Sequence, residues 1–207
     1  MMVKVKICGI TNARDALAAA AAGADAVGFN FYRRSPRYVE PDAALPIRLS
    51  LPPFLAAVGV FVDAAPEDVR RVMEHCKLDY AQLHGRETPY IVGKLEGLRI
   101  IKAIRVRDEK DLSELERFSV EAFLLDTYVP GKQGGTGEPF DWDLARAASS
   151  RAKVILAGGL TPENVAEAVR RGRPFAVDVA SGVEEEPGVK SRKLVMDFVR
   201  AAKSVDL

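Results

Sequence analysis

Two residues of the chain have the types needed for paired proton transfer: Cys8 in "KICGIT" and Asp126 in "LLDT". A thiolate takes a proton and a carboxylic acid donates one. Each has a plainer reading taken alone. A lone cysteine at a strand end is usually a small buried filler, and an aspartate there is often a helix cap or half of an ion pair. Cys76, late in the helical pattern "EDVRRVMEHCKL", is such a plain case and is assigned no function. A free thiol titrates near pH 8.5, so only a few per cent is thiolate at neutral pH. A free aspartic acid titrates near 3.9 and holds a proton at neutral pH only if burial or a neighbouring anion raises it by about 3 units. Leu124 and Leu125, or a bound phosphate, would push Asp126 that way.

Glycine pairs are the second chemical signal. "AGGLTPENV" sets Gly158 and Gly159 before a helical pattern, and "ASGVEEEPG" sets Ser181 and Gly182 where a short extra helix can begin. Backbone amides at such turns bind phosphate, and glycine lets the anion come close. Other chemistries lack support. The two histidines, His75 and His84, have no metal-ligand spacing, so no metal is expected. No G-x-S-x-G elbow is present. "GKQGGTG" (131–137) is not a Walker loop and reads as a mobile flap or a plain surface loop. The two cysteines form no CxxC pair, which fits reduced thiols and a cytoplasmic location. A formal net charge of +1 gives no basis for nucleic acid as a partner. The Ala-rich run 16–22 is too short to cross a membrane.

These residues must be positioned by alternating strands and helices. Short β-branched runs predict strands near 3–8, 25–30, 55–62, 80–84, 99–105, 122–126, 153–157 and 175–179. Helical patterns follow near 12–22, 41–50, 66–77, 87–95, 108–118, 141–149, 162–171 and 190–203, several opening on Pro with acids beside it. Thr11 and Thr161 are expected caps, in a weak internal echo between 9–28 and 159–178. Strict alternation implies a parallel sheet buried on both faces. A chain of 207 residues with eight such units fits a single-domain (β/α)8 TIM barrel over 1–207. The alternative, an open doubly wound sheet, would more often carry a Gly-rich first turn, and Cys8-Gly9-Ile10-Thr11 is not one. In a barrel, chemistry sits at the carboxyl ends of the strands. Cys8, Asn30, Asp63, Gln82, His84, Arg105, Asp126, the 158–159 glycines, Asp178 and Ser181-Gly182 fall there.

"KICGIT", "GADAVGFNFYRRSPRYV", "VGVFV", "QLHG", "LLDT", "GGTG" with "FDW", "LAGGLTPENV" and "VDVASGVEEEPGVK", in that order, resemble phosphoribosylanthranilate isomerase from the first strand to the last helix. The resemblance implies an enzyme of tryptophan biosynthesis that uses no metal or organic cofactor. Its phosphorylated small-molecule substrate, N-(5-phosphoribosyl)anthranilate, is rearranged to 1-(2-carboxyphenylamino)-1-deoxyribulose 5-phosphate. It implies Asp126 as general acid, Cys8 as general base and Arg37 as partner of the anthranilate carboxylate. It also implies Gly158, Gly159, Ser181 and Gly182 as the phosphate cradle, with His84 and Asp178 near the substrate. The family includes monomers and homodimers, so either assembly is expected, with neither a nucleic-acid nor a membrane partner. Three rival readings stand beside this one. The related isomerase of histidine biosynthesis is expected to carry an acid where this chain has Cys8. Indole-3-glycerol-phosphate synthase needs a strand-borne lysine, for which Lys102 is the candidate. A non-catalytic phosphate sensor would have lost Cys8 or Asp126.

Overall fold

The computed structural model describes residues 2–106, 108–127 and 142–206, with Thr127 described in its backbone alone. Eight parallel strands close into a barrel in chain order: β1 (Lys4–Cys8), β2 (Ala26–Asn30), β3 (Ala56–Phe61), β4 (Tyr80–Leu83), β5 (Ile100–Val106), β6 (Ala122–Thr127), β7 (Val154–Ala157) and β8 (Ala176–Val179). Among the described residues, seven α-helices cover its outer face: α1 (Ala13–Ala22), α2 (Pro41–Leu49), α3 (Pro66–His75), α4 (Pro89–Gly93), α5 (Trp142–Ser149), α6 (Val165–Gly172) and α7 (Arg192–Lys203). The (β/α)8 expectation therefore holds, and the open sheet does not. The proposed flap at 131–137 lies outside the described residues.

Side chains alternate between the two faces of a strand. One parity fills the barrel: Val58, Ile101, Ala103, Leu124, Ile155 and Ala157 form an interior cluster. The other parity, including Val5, Ile7, Val27, Phe29 and Leu156, packs outward with helix residues such as Val165, Val195 and Phe198. Lys6, Cys8, Asp126 and Asp178 share the inward parity of their strands, and Lys102 has the outward one.

Several local expectations are corrected. The segment after β5 is a 3-10 helix, Glu109–Arg117, rather than an α-helix. Its two buried residues, Leu112 and Leu115, are three apart, the repeat of a 3-10 turn. The predicted helix 87–95 shrinks to α4, beyond which Gly97 takes a positive φ of 90°. Neither threonine is the cap. Asn12, extended at φ −148° and ψ 159°, caps α1 by accepting from the Asp15 amide, while the Thr11 hydroxyl donates to the Gly188 carbonyl at 2.6 Å. At α6, Asn164 precedes the first helical residue, and its side-chain oxygen accepts from the Thr161 amide. The loop after β8 holds an unforeseen hairpin, β9 (Glu184–Glu186) with β10 (Val189–Lys190).

One buried ion pair locks the β4–α4 loop to the outer face of the barrel. Lys102 Nζ donates to Glu87 Oε2 at 2.7 Å and to the carbonyls of Leu83 and Gly85. Glu87 accepts in turn from the amides of Asp63 and Gly85. The two side chains are 5% and 2% exposed, so removing one charge strands the other. Glu87→Gln is expected to lower stability by about 3–5 kcal/mol in urea titration.

Candidate active site

The carboxyl ends of the strands carry the polar inward residues. Cys8, the last residue of β1, is half-buried and pairs in register with Gly28 of β2. A Cβ on Gly28 would lie 2.8 Å from Cys8 Sγ and 3.1 Å from Lys6 Nζ. The bare glycine is thus what admits the thiol and the ammonium together. Lys6 donates to Asp178 Oδ1 at 2.8 Å, and these side chains are 4% and 9% exposed. Burial alone would lower the Lys6 pKa, but Asp178 and then Cys8 carry it up to about 12. Burial pushes the Cys8 thiol above its ordinary range, against the pull of Lys6.

Asp126 stands on β6, in register with Arg105 of β5 and Ala157 of β7. Leu124 and Leu125, one of the two influences the sequence offers for keeping it protonated, do not enclose it. Those leucines are fully buried, whereas the Asp126 side chain is 35% exposed. Its partner is His84, whose Nε2 lies 3.2 Å from Asp126 Oδ2 while Nδ1 lies 3.0 Å from Gln82 Nε2. Gln82 and Asp126 thus hold the imidazole from its two ring nitrogens, which fixes the orientation of the ring. Two other strand-end candidates shape loops instead. Asn30 bonds Ser35 and the Tyr32 amide, and Asp63 accepts from the Arg86 amide.

Arg37 lies over the first turn. A Cβ on Gly9, whose φ is +78°, would sit 2.4 Å from Arg37 Cδ, so only glycine fits beneath it. Its Nε and Nη2 donate to Glu184 Oε1 and Oε2 at 2.8 and 2.6 Å. One edge of the guanidinium is therefore filled, and the opposite edge has the geometry to grip a second carboxylate. Lys190 Nζ shares Glu184 at 2.7 Å. Burial works to raise the Glu184 pKa, but Arg37 and Lys190 outweigh it and hold the carboxyl below its ordinary value.

The two glycine loops meet. Gly158 and Gly159 both take positive φ, 87° and 66°. A Cβ on Gly182 would lie 2.0 Å from the Leu160 carbonyl oxygen, so the turns after β7 and β8 are in contact. The extra helix at Ser181 is one 3-10 turn, Ser181–Val183. Among the described residues, no group of three or more His, Cys, Asp or Glu could hold a metal ion, and no helix is long and apolar enough to cross a membrane. Cys76 is buried at the end of α3, against the Pro41 carbonyl.

The family model for N-(5'-phosphoribosyl)anthranilate isomerase matches residues 5–201. The chain belongs to the phosphoribosylanthranilate isomerase family. A curated relative of that name from Geobacter sp. (strain M21) is 52% identical over 204 residues, covering 99% of this chain and all of its own. The crystal structure of phosphoribosylanthranilate isomerase from Thermotoga maritima superposes with a TM-score of 0.92 at 44% identity, over 99% of this chain and 100% of the other. A structure of the isomerase in complex with reduced 1-(o-carboxyphenylamino)-1-deoxyribulose 5-phosphate gives a TM-score of 0.88 at 43% identity, with the same coverage.

Sequence reasoning missed Lys6, Glu184 and Lys190. For Lys6 the signal was present: in "KVKIC" it stands two residues before Cys8, on the same strand face. Glu184 and Lys190 lie within "VDVASGVEEEPGVK", one of the motifs that carry the family resemblance, but no local pattern singles them out, because the hairpin is what folds them inward.

Glu184 also yields a pH expectation. Its folded pKa lies below its ordinary 4.5. The stability it provides is therefore complete above about 4.5 and is lost as pH falls through the lower folded value. Urea midpoints measured from pH 6 down to 3 are expected to fall less steeply below about 4.5 in Glu184→Gln than in the wild type.

Proposed function

We propose that this chain, as one barrel domain over 1–207, rearranges N-(5-phosphoribosyl)anthranilate to 1-(2-carboxyphenylamino)-1-deoxyribulose 5-phosphate by acid–base catalysis with Asp126 and Cys8. The observation that carries this reading is the meeting of the thiol, the His84-bonded carboxyl and the two glycine loops at one barrel mouth. A single chain supplies every one of these residues, so the reading holds for a monomer and a homodimer alike. The free state of both cysteines supports a cytoplasmic setting.

Each step of the proposed reaction has a residue in position to support it. The substrate phosphate sits against the amides of Gly158, Gly159, Ser181 and Gly182, which anchors one end of the ligand. The anthranilate carboxylate takes the open edge of Arg37, whose other edge Glu184 keeps fixed. The sugar then spans the mouth between Cys8 and Asp126. Asp126 gives a proton to the ring oxygen as the C1–O bond breaks, and the nitrogen lone pair forms a C=N bond. Cys8 removes the proton from C2, and the C–H electrons form C1=C2 while the C=N pair returns to nitrogen. The resulting enolamine tautomerises to the ketone. His84 is a positioning residue that fixes the Asp126 carboxyl through Oδ2. Asp178 acts beside the substrate through Lys6, its buried partner.

The synthase rival loses its lysine. Lys102 has the outward parity of β5 and is spent on Glu87, so it presents no acid to the barrel mouth.

The test is to generate phosphoribosylanthranilate in situ and follow the decay of its fluorescence. Cys8→Ser and Asp126→Asn are each expected to lose about 10²–10⁴ in kcat. Arg37→Ala is expected to act mainly by raising KM. Turnover near wild type by either catalytic variant would overturn the role assigned to that residue.

A further inference from the structure

Charged groups reach Cys8 from several elements of the barrel mouth. Lys6 faces it from β1, Arg37 from the loop after β2, Asp178 from β8 and Lys190 from the hairpin. Glu184 is shared between Arg37 and Lys190, and Asp178 is taken by Lys6. Among the described residues whose charge acts on the thiol or is bonded to those that do, cations predominate: Lys6, Arg37 and Lys190 against Asp178 and Glu184. A thiolate at Cys8 would place a negative charge beside these cations. Lys6 is the cation best placed to meet it. Its ammonium and the sulfur converge on the space left by Gly28, and burial denies it water as an alternative partner.

We propose that Lys6 is a positioning residue for Cys8: its ammonium, fixed by Asp178, stands against the sulfur and stabilises the thiolate that takes the substrate proton. This rests on the reading of Cys8 as the base. Low-dielectric surroundings strengthen the attraction between the two charges. Asp178 has two opposed effects, since it holds the ammonium in place and also repels the thiolate. Burial is the largest influence on the thiol and works to keep it protonated; Lys6 is the largest influence in the other direction.

The experiment measures the ionisation of Cys8 separately from turnover. Iodoacetamide alkylation of the peptide carrying Cys8 is followed by mass spectrometry across pH 6–10, which leaves Cys76 out of the readout. Lys6→Met is expected to move the alkylation midpoint to higher pH and to slow alkylation at pH 7.5 by about tenfold or more. In parallel, kcat/KM of Lys6→Met is expected to be low near neutrality and to climb back toward the wild-type value as pH rises. A purely structural loss would not be recovered by pH. If Lys6→Met leaves an unfolded protein, the double variant Lys6→Met/Asp178→Leu removes both buried charges at once and spares the fold. Its midpoint is still expected above wild type, because the ammonium outweighs the carboxylate at the sulfur. An unchanged midpoint in the folded lysine variant, or a rate deficit equal at every pH, would overturn the proposal. Because alkylation does not depend on turnover, failure of the base assignment itself would show separately, as an active Cys8→Ser.

Discussion

The twofold alternation of side chains in a closed parallel sheet governs everything at the barrel mouth. Once eight strands join in a ring, each residue either fills the interior or packs on the helices, and residues two apart share a side. That rule puts Lys6 directly below Cys8, sets Leu124 below Asp126, and sends Lys102 outward to Glu87. A one-residue slip of β1 would bury Ile7 in the mouth and turn the thiol toward α1 and α7. Hydrophobic burial on both faces resists such a slip, because Val5 and Ile7 are almost wholly excluded from solvent.

Glycine is the complement to that rule. Gly28 makes room for a sulfur and an ammonium, Gly9 for the stem of Arg37, and Gly182 for the carbonyl of Leu160. At each of these positions a methyl group would meet an atom of the site or of the loops that frame it. The chemistry at the mouth is thus defined partly by side chains that are absent, since polar groups come together where the backbone leaves space.

Much of this was legible in the sequence. Alternating runs such as "AAVGVF" and "AVGFN" gave the strands, Pro41 and Pro66 marked helix starts within a residue, and Cys8, Asp126 and the two glycine loops fell at the strand ends where they were sought. The failures have physical causes. Thr11 and Asn12 are both good capping residues, and the choice between them was made by Gly188, which takes the threonine hydroxyl from far along the chain. The helix expected over 108–118 has the right amphipathicity, but Leu112 and Leu115 are its only buried anchors and they suit a tighter turn. The charge cluster was invisible because Glu184 and Lys190 belong to it only after the hairpin folds. Local pattern reports the elements, and long-range partners decide the polar detail.

The bond between Lys6 and Asp178 joins residues 172 positions apart. It also bridges β1 and β8, the pair that closes the ring. Contacts of such separation form late, after the loop entropy of nearly the whole chain has been overcome. A partly folded chain lacking its last strand would therefore have a sulfur with no settled charge environment, open to oxidation and mispairing. The completed ring shelters the same sulfur, so the thiol's reactivity reports whether the first and last strands have met.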